Sequence, residues 1–130
     1  MITHLLYSVS QKNNIQLDKA NILIMGLTFK EDCPDYRNTR VIDLFEGLKK
    51  NVKNVEVFDP WVNKSEVKLE YNFSPIDKIK DNYYDGIILA VAHKKFKQLG
   101  IKKIRKFGRD KCVIYDVKSM FNITDVDGRL

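Results

Sequence analysis

Four short apolar runs, separated by longer polar stretches, constrain this chain more than any other feature. They are NILIMG (residues 21–26), VEVFDP (55–60), DGIILAVA (85–92) and CVIYDV (112–117). The first, five residues ending in glycine, describes a strand buried on both faces, the condition of a parallel sheet. VEVFDP reads as a second strand stopped by Pro60, and DGIILAVA as a central one. Between the first two, Val41, Leu44, Phe45 and Leu48 recur at i, i+3, i+4 and i+7 and form one apolar helical face. Asn38 or Thr39 can cap that helix by accepting a backbone N–H bond. Ile2, Leu5, Leu6 and Val9 predict a further amphipathic helix at the start. The alternation gives an α/β fold: a Rossmann-like, mostly parallel sheet with helices on both faces, preceded by an N-terminal helix.

The remaining segments carry weaker patterns. Residues 61–75 read as irregular, with a short strand near Leu69–Tyr71. Pro75 can open a short helix through Lys80, because its missing N–H is not needed in a first turn. A lysine-rich helix is expected around Ile101–Phe107, and the polar tail NITDVDGRL is expected to end the native protein. A length of 130 residues suits one domain, with no internal repeat or low-complexity linker.

Composition excludes several classes of function. The net charge is +6, but the lysines are scattered, without an arginine-rich arm, finger spacing or aromatic RNA motif, so nucleic acid is not an expected partner. No apolar run approaches the roughly 20 residues of a membrane span, and the first residues lack the layout of a signal peptide. A cytoplasmic protein is expected. Cys33 and Cys112 have no metal-ligand spacing, so no metal site is expected, and Cys112 reads as a small core hydrophobe.

In a parallel sheet, ligands sit beyond the carboxyl ends of the strands, where strand order reverses. The loops Leu27–Asn38, Asp59–Val62, Ala92–Phe96 and Asp116–Phe121 should reach that edge. They carry Lys30, Arg37, Asp59, Trp61, His93 and Lys118. Lys30 and Lys118, distant in sequence, are expected to converge on one rim. The stretch GLTFKEDCPDYRNT (residues 26–39) stands where a dinucleotide fold holds a diphosphate, yet keeps one glycine of the usual three. Lys30 can neutralise a diphosphate as a point charge. Equally, Lys30–Glu31 and Arg37–Asp35 can be ordinary surface pairs. Asp59 lies more than roughly thirty residues beyond Gly26, too far for the usual ribose acid, and suits the fixing of an Asp-Pro turn. Trp61 reads as a core or interface aromatic, and His93 as either structural or facing the cleft.

The ordered words GLTFKEDCPDYRNTRVIDL, VFDPWV, ILAVAHKKF, YDVKSMF and a terminal DGRL resemble one family. It is the C-terminal domain of the UDP-glucose/GDP-mannose dehydrogenases, and within it the bacterial UDP-N-acetylhexosamine 6-dehydrogenases of surface-polysaccharide synthesis (the Vi-antigen type). The resemblance covers about residues 21–130, which it marks as the nucleotide-sugar-binding domain. Residues 1–20 resemble the end of the helix that joins two domains and carries a dimer interface. The resemblance implies a whole enzyme that oxidises a sugar C6 hydroxyl to a carboxylate in two hydride transfers to NAD. NAD would be bound mainly by a separate N-terminal domain, with a cysteine nucleophile outside the matched region. It implies that Phe29, Lys30 and Lys118 contact the UDP-sugar and that Arg37 reaches the NAD; no catalytic residue falls in this chain. Where the family usually has glycine after the position of Lys118, this chain has Ser119. The alternative is a stand-alone Rossmann-like interaction module without catalysis, self-associating through the apolar stripe of its first helix.

Overall fold

A computed structural model describes residues 2–13, 16–37 and 39–129; the side chains of residues 2–4, 8, 12 and 13 also lie outside the description. Asn38, one of the two expected caps, therefore falls outside it. The strands are β1 (Asn21–Met25), β2 (Asn54–Phe58), β3 (Tyr84–Leu89), β4 (Gly108–Asp116) and β5 (Gly128–Arg129). The helices are α1 (Ile2–Asn13), α2 (Val41–Lys49), α3 (Lys64–Tyr71) and α4 (Lys94–Phe107). The five strands form one sheet in the order β2-β1-β3-β4-β5, and every pairing is parallel.

Because side chains alternate across a strand, β1 feeds two cores. Ile22 and Ile24 join Leu5, Leu6 and Val9 of α1, Leu44 and Leu48 of α2, and Val67 of α3 on one face. Leu23 and Met25 join Phe96, Ile104 and Phe107 of α4 on the other. The layers are therefore helix, sheet, helix, as the strand–helix alternation requires. Leu5 and Val9 are fully buried on the domain's own sheet and Leu6 is buried beside them, so the described part of the stripe that could have served self-association is already covered. Cys112 lies in the second core, as its apolar neighbours imply.

Four local expectations are corrected. Residues 64–71 are helix, not a short strand: Asn63 accepts the Glu66 N–H at 3.1 Å and caps them, and Asn72 ends them with a left-handed φ of 61°. No helix follows Pro75. Pro75 is buried and the Ile76 N–H bonds the Val57 carbonyl at 2.8 Å, which ties the segment to β2 instead. The helix expected at 101–107 begins at Lys94, with a kink where Gly100 adopts φ 80° and ψ 157°; that break splits the helical periodicity. Finally, β4 starts at Gly108, because its polar first residues pair beyond the apolar core, with an irregular register between Tyr84 and Gly86.

Candidate functional site

Strand order reverses at β1, with β2 on one side of it and β3 on the other, so the loops leaving β1 and β3 diverge at the carboxyl edge. A cleft of about 480 Å³ opens there, within the range of small-ligand sites. Thr28 and Phe29 reach it from β1, Ala90 and Val91 from β3, and Val117 and Lys118 from β4. Thr39, Arg40, Val41 and Leu44, at the start of α2, complete it. Gly26 has a reason unrelated to phosphate. Its φ is +106°, and a Cβ there would stand 2.6 Å from the Val91 Cβ, so only glycine lets β1 and the β3 exit cross.

One buried acid organises the loops. The Asp59 Oδ2 accepts the Leu27 N–H at 2.7 Å, the Thr28 N–H at 3.1 Å and the His93 ring at 2.9 Å. Its Oδ1 accepts the Trp61 N–H at 2.8 Å, the turn bond expected of an Asp-Pro corner. Burial pushes the Asp59 carboxyl up, but the hydrogen bonds from His93, Leu27 and Trp61 outweigh it and hold the group below its ordinary range. An acid so fully engaged is not available to a ribose.

His93 is fully buried and structural, one of the two readings its position allowed. Its Nδ1 accepts the Asp32 N–H at 2.9 Å and so carries no proton. Nε2 is therefore the N–H that donates to Asp59, with the Thr28 hydroxyl oxygen 3.3 Å away. Thr28 in turn donates to the Lys30 carbonyl at 2.9 Å, and the Asp32 carboxylate accepts the Lys94 N–H at 2.9 Å. The loop carrying Phe29 and Lys30 is thus pinned to β2, β3 and the start of α4. The expected loop Ala92–Phe96 is shorter, since α4 starts at Lys94.

A second acid holds the far wall. Asp116 is fully buried, and its Oδ2 accepts the Phe121 N–H at 2.8 Å, closing the loop that presents Lys118. Ser119 in that loop has φ 55°, the left-handed conformation in which glycine is relaxed. The serine therefore follows a path that glycine would take without strain.

Phe29 and Lys118 thus line one cleft, Phe29 with 63% of its surface exposed. Lys30 is exposed on the same pinned loop, beside Phe29 and outside the lining. Arg37 also lies outside it. Its Nε and Nη2 reach the two Asp35 oxygens at 3.0 and 3.2 Å in a solvent-exposed pair. Hydrogen bonds from Arg37 hold the Asp35 carboxyl below its ordinary range. Trp61 is 41% exposed, with its ring 6.3 Å from that of His93. The sequence marked Thr39 only as a cap of α2, and Arg40 not at all. The usable signal was their place directly before the apolar face of α2, where a helix N-terminus meets the carboxyl edge.

Residues 23–123 match the profile described as "UDP-glucose/GDP-mannose dehydrogenase family, UDP binding domain". The UDP-N-acetyl-D-glucosamine 6-dehydrogenase of Salmonella typhi is 47% identical over 119 residues, 92% of this chain and 28% of that enzyme. The enzyme of the same name from Pseudomonas aeruginosa is 45% identical over 130 residues, 95% of this chain and 31% of its own length. The chain therefore spans under a third of the curated relatives it matches. Among solved structures, the UDP-D-ManNAc dehydrogenase of Pyrococcus horikoshii superposes with a TM-score of 0.77 at 24% identity, over 98% of this chain and 29% of that one, which shows the shared fold. With a profile match spanning residues 23–123 and relatives at 45–47% identity over most of its length, the chain belongs to the UDP-glucose/GDP-mannose dehydrogenase family, as its UDP binding domain.

Proposed function

We propose that this chain is the nucleotide-sugar-binding part of an NAD-dependent 6-dehydrogenase that converts a UDP-N-acetylhexosamine to its uronic acid for surface-polysaccharide synthesis. In this reading the enzyme works in the cytoplasm. Among the described residues no helix is long and apolar enough to cross a membrane. The observation that carries the reading is the cleft: Phe29 and Lys118, from the loops after β1 and β4, face one space at the reversal of strand order. Support also comes from two 6-dehydrogenases at 45–47% identity.

The division of labour follows from the residues. Phe29 offers an exposed aromatic face to a base or sugar, and Lys118 offers a point charge to a diphosphate. Lys30, next to Phe29, supplies a second charge at the rim as the substrate settles. The residues present do not fit a dinucleotide site of their own. The β1–α2 connection has one glycine, fixed by packing against Val91, and the acid ending β2 is engaged by His93 and backbone N–H groups. Hydride transfer to NAD, in two steps from the C6 hydroxyl, then belongs to a segment outside this chain, with Arg37 as the contact to the cofactor held there. Residues 1–20 serve as the end of the connection to that segment, in an enzyme able to pair as a homodimer.

The test is a titration of the 130-residue chain with UDP, followed by amide NMR. Shifts are expected at residues 27–30, 39–44, 90–91 and 117–118, and Lys118→Ala should weaken them. With the NAD-binding segment restored, Lys30→Ala and Lys118→Ala should slow NADH formation from UDP-N-acetylhexosamines. Amides untouched by millimolar UDP, or rates untouched by both substitutions, would remove the reading.

A further inference from the structure

We infer that Arg40 is a second diphosphate-binding cation of the cleft, working with Lys118 as a two-sided clamp; the inference rests on the nucleotide-sugar reading above. Arg40 immediately precedes α2 and already has helical dihedrals, φ −83° and ψ −7°. Its carbonyl accepts the Leu44 N–H at 3.3 Å, and the Thr39 hydroxyl accepts the Val41 N–H at 3.2 Å. The backbone beneath the guanidinium is therefore fixed, and Arg40 lines the same cleft as Phe29 and Lys118.

Its surroundings differ from those of the other arginines, of which Arg129 donates to the Phe121 carbonyl at 3.2 Å. Arg37, Arg105 and Arg109 each lie against an acid: Asp35, Asp127 and Asp85 respectively. Among the described residues, Arg40 makes no ion pair, not even with Asp43 in the first turn of its own helix. An unpaired guanidinium lining a pocket has its planar donors available to an anion, and phosphate oxygens match that fork in two-point fashion.

The sheet order supplies the geometry. Arg40 lines the cleft from the start of α2, which follows β1, and Lys118 from the loop after β4, while Ala90 and Val91 reach it from β3, the strand between β1 and β4. Leu44, Val91 and Val117 give the space between the cations an apolar lining. Two cations flanking an apolar floor suit a ligand carrying two adjacent phosphoryl groups better than a single carboxylate. The apolar lining also makes each charge contact stronger than it is in open water. The sugar nucleotide's diphosphate is the assigned occupant; the diphosphate of a dinucleotide shares the same chemistry, and the test separates them.

The unaltered chain, Arg40→Ala, Arg40→Lys and Lys118→Ala are titrated with UDP, uridine and NAD by calorimetry or amide NMR. Arg40→Ala is expected to weaken UDP about tenfold and uridine less than about twofold, with Arg40→Lys recovering part of the loss. If Arg40→Ala binds UDP as the unaltered chain does while Lys118→Ala is weakened, the clamp is wrong and the cleft reading stands. Equal losses for UDP and uridine would show that Arg40 supports the nucleoside or the fold, against the assignment. If NAD is the ligand whose binding Arg40→Ala weakens, the clamp belongs to the cofactor and the assignment to the sugar nucleotide falls. No binding of UDP by the unaltered chain removes the cleft reading itself, and this inference with it.

Discussion

The two edges of the sheet use the same device to different ends. At the carboxyl edge, buried Asp59 gathers backbone N–H groups from the β1 and β2 loops together with the His93 ring. At the amino edge, buried Asp85 accepts the Asn21 N–H at 2.9 Å, and Arg109 lies 3.6 Å from its other oxygen. Each acid stitches strand ends together where the ladder no longer can. The difference lies in the cations. The shallow depression at the amino edge is lined by Arg105, Lys106 and Arg109, of which the two arginines are matched to Asp127 and Asp85. In the carboxyl-edge cleft, Arg40 and Lys118 have no such match among the described residues. A pocket whose arginines are matched by the protein's own acids holds the fold together; one whose cations are left open favours an anion.

The largest expected effect is steric and confined to the carboxyl edge. Gly26→Ala places a Cβ 2.6 Å from Val91 at a φ of +106°, and overpacking with backbone strain should cost more than about 3 kcal/mol by urea denaturation. Gly100→Ala, at φ 80° with nothing within 4 Å, carries strain alone and should cost about 1–2 kcal/mol. Equal losses would mean that the close crossing of β1 and the β3 exit is not what requires Gly26.

Next come the two acids. Asp59→Asn leaves buried N–H groups without a full acceptor and should cost about 3 kcal/mol, because each unsatisfied buried donor carries its desolvation penalty. Asp85→Asn should cost about 2 kcal/mol for the same reason, through the Asn21 N–H. The two should separate in binding: Asp59→Asn loosens the Phe29–Lys30 loop and weakens UDP, while Asp85→Asn leaves the UDP affinity of the folded fraction as it was. If Asp85→Asn weakens UDP as much, the two edges are coupled and do not serve separate ends.

The cations sharpen the contrast further. Lys118→Ala should weaken UDP about tenfold, the value of about 1.4 kcal/mol expected for losing one charged contact. Arg109→Ala, which removes the same charge from the opposite edge, should leave UDP affinity within about twofold, since long-range effects are screened at ordinary salt. An equal loss from Arg109→Ala would make net charge, not the cleft, the source of affinity.

Legibility in the sequence tracked the range of the interactions. The four apolar runs and the face of α2 were readable because burial imposes a local period, and each became an element at its place. The convergence of loops at one edge followed from parallel topology alone. What escaped were features set by contacts distant in sequence. The fate of residues 75–80 is decided by the Val57 carbonyl, and the role of His93 by Asp59 and Asp32. Asp59 was readable as a turn acid because the Trp61 bond is local, whereas its grip on Leu27 and Thr28 was not. Arg40 was passed over because nothing in the words around it marks a side chain as unpaired; only the placement of every acid can do that.

The smallest effect concerns Glu56, an acid on the same strand run as Asp59 but facing a different task. Its oxygens accept from Lys80 at 2.7 Å and from the Tyr84 hydroxyl at 2.6 Å. Burial pushes its carboxyl up, but the hydrogen bonds from Lys80, Tyr84 and Asn54 outweigh it, and the group is held below its ordinary value of 4.5. Asp59 is likewise held below 3.8. For both, the folded value lies under the unfolded one, so their contribution to stability is complete above those ordinary values and disappears as pH falls through the lowered ones. Stability measured from pH 7 downward should therefore be level until the carboxylate range and then decline. Glu56→Gln keeps the shape but not the charge; partly screened by solvent, it should cost only about 0.5–1 kcal/mol at pH 7. It should also make the acid decline shallower while leaving UDP affinity untouched, because Glu56 serves the middle of β2 rather than the cleft. A decline of unchanged steepness would place the acid sensitivity in Asp59 and the carboxyl edge alone.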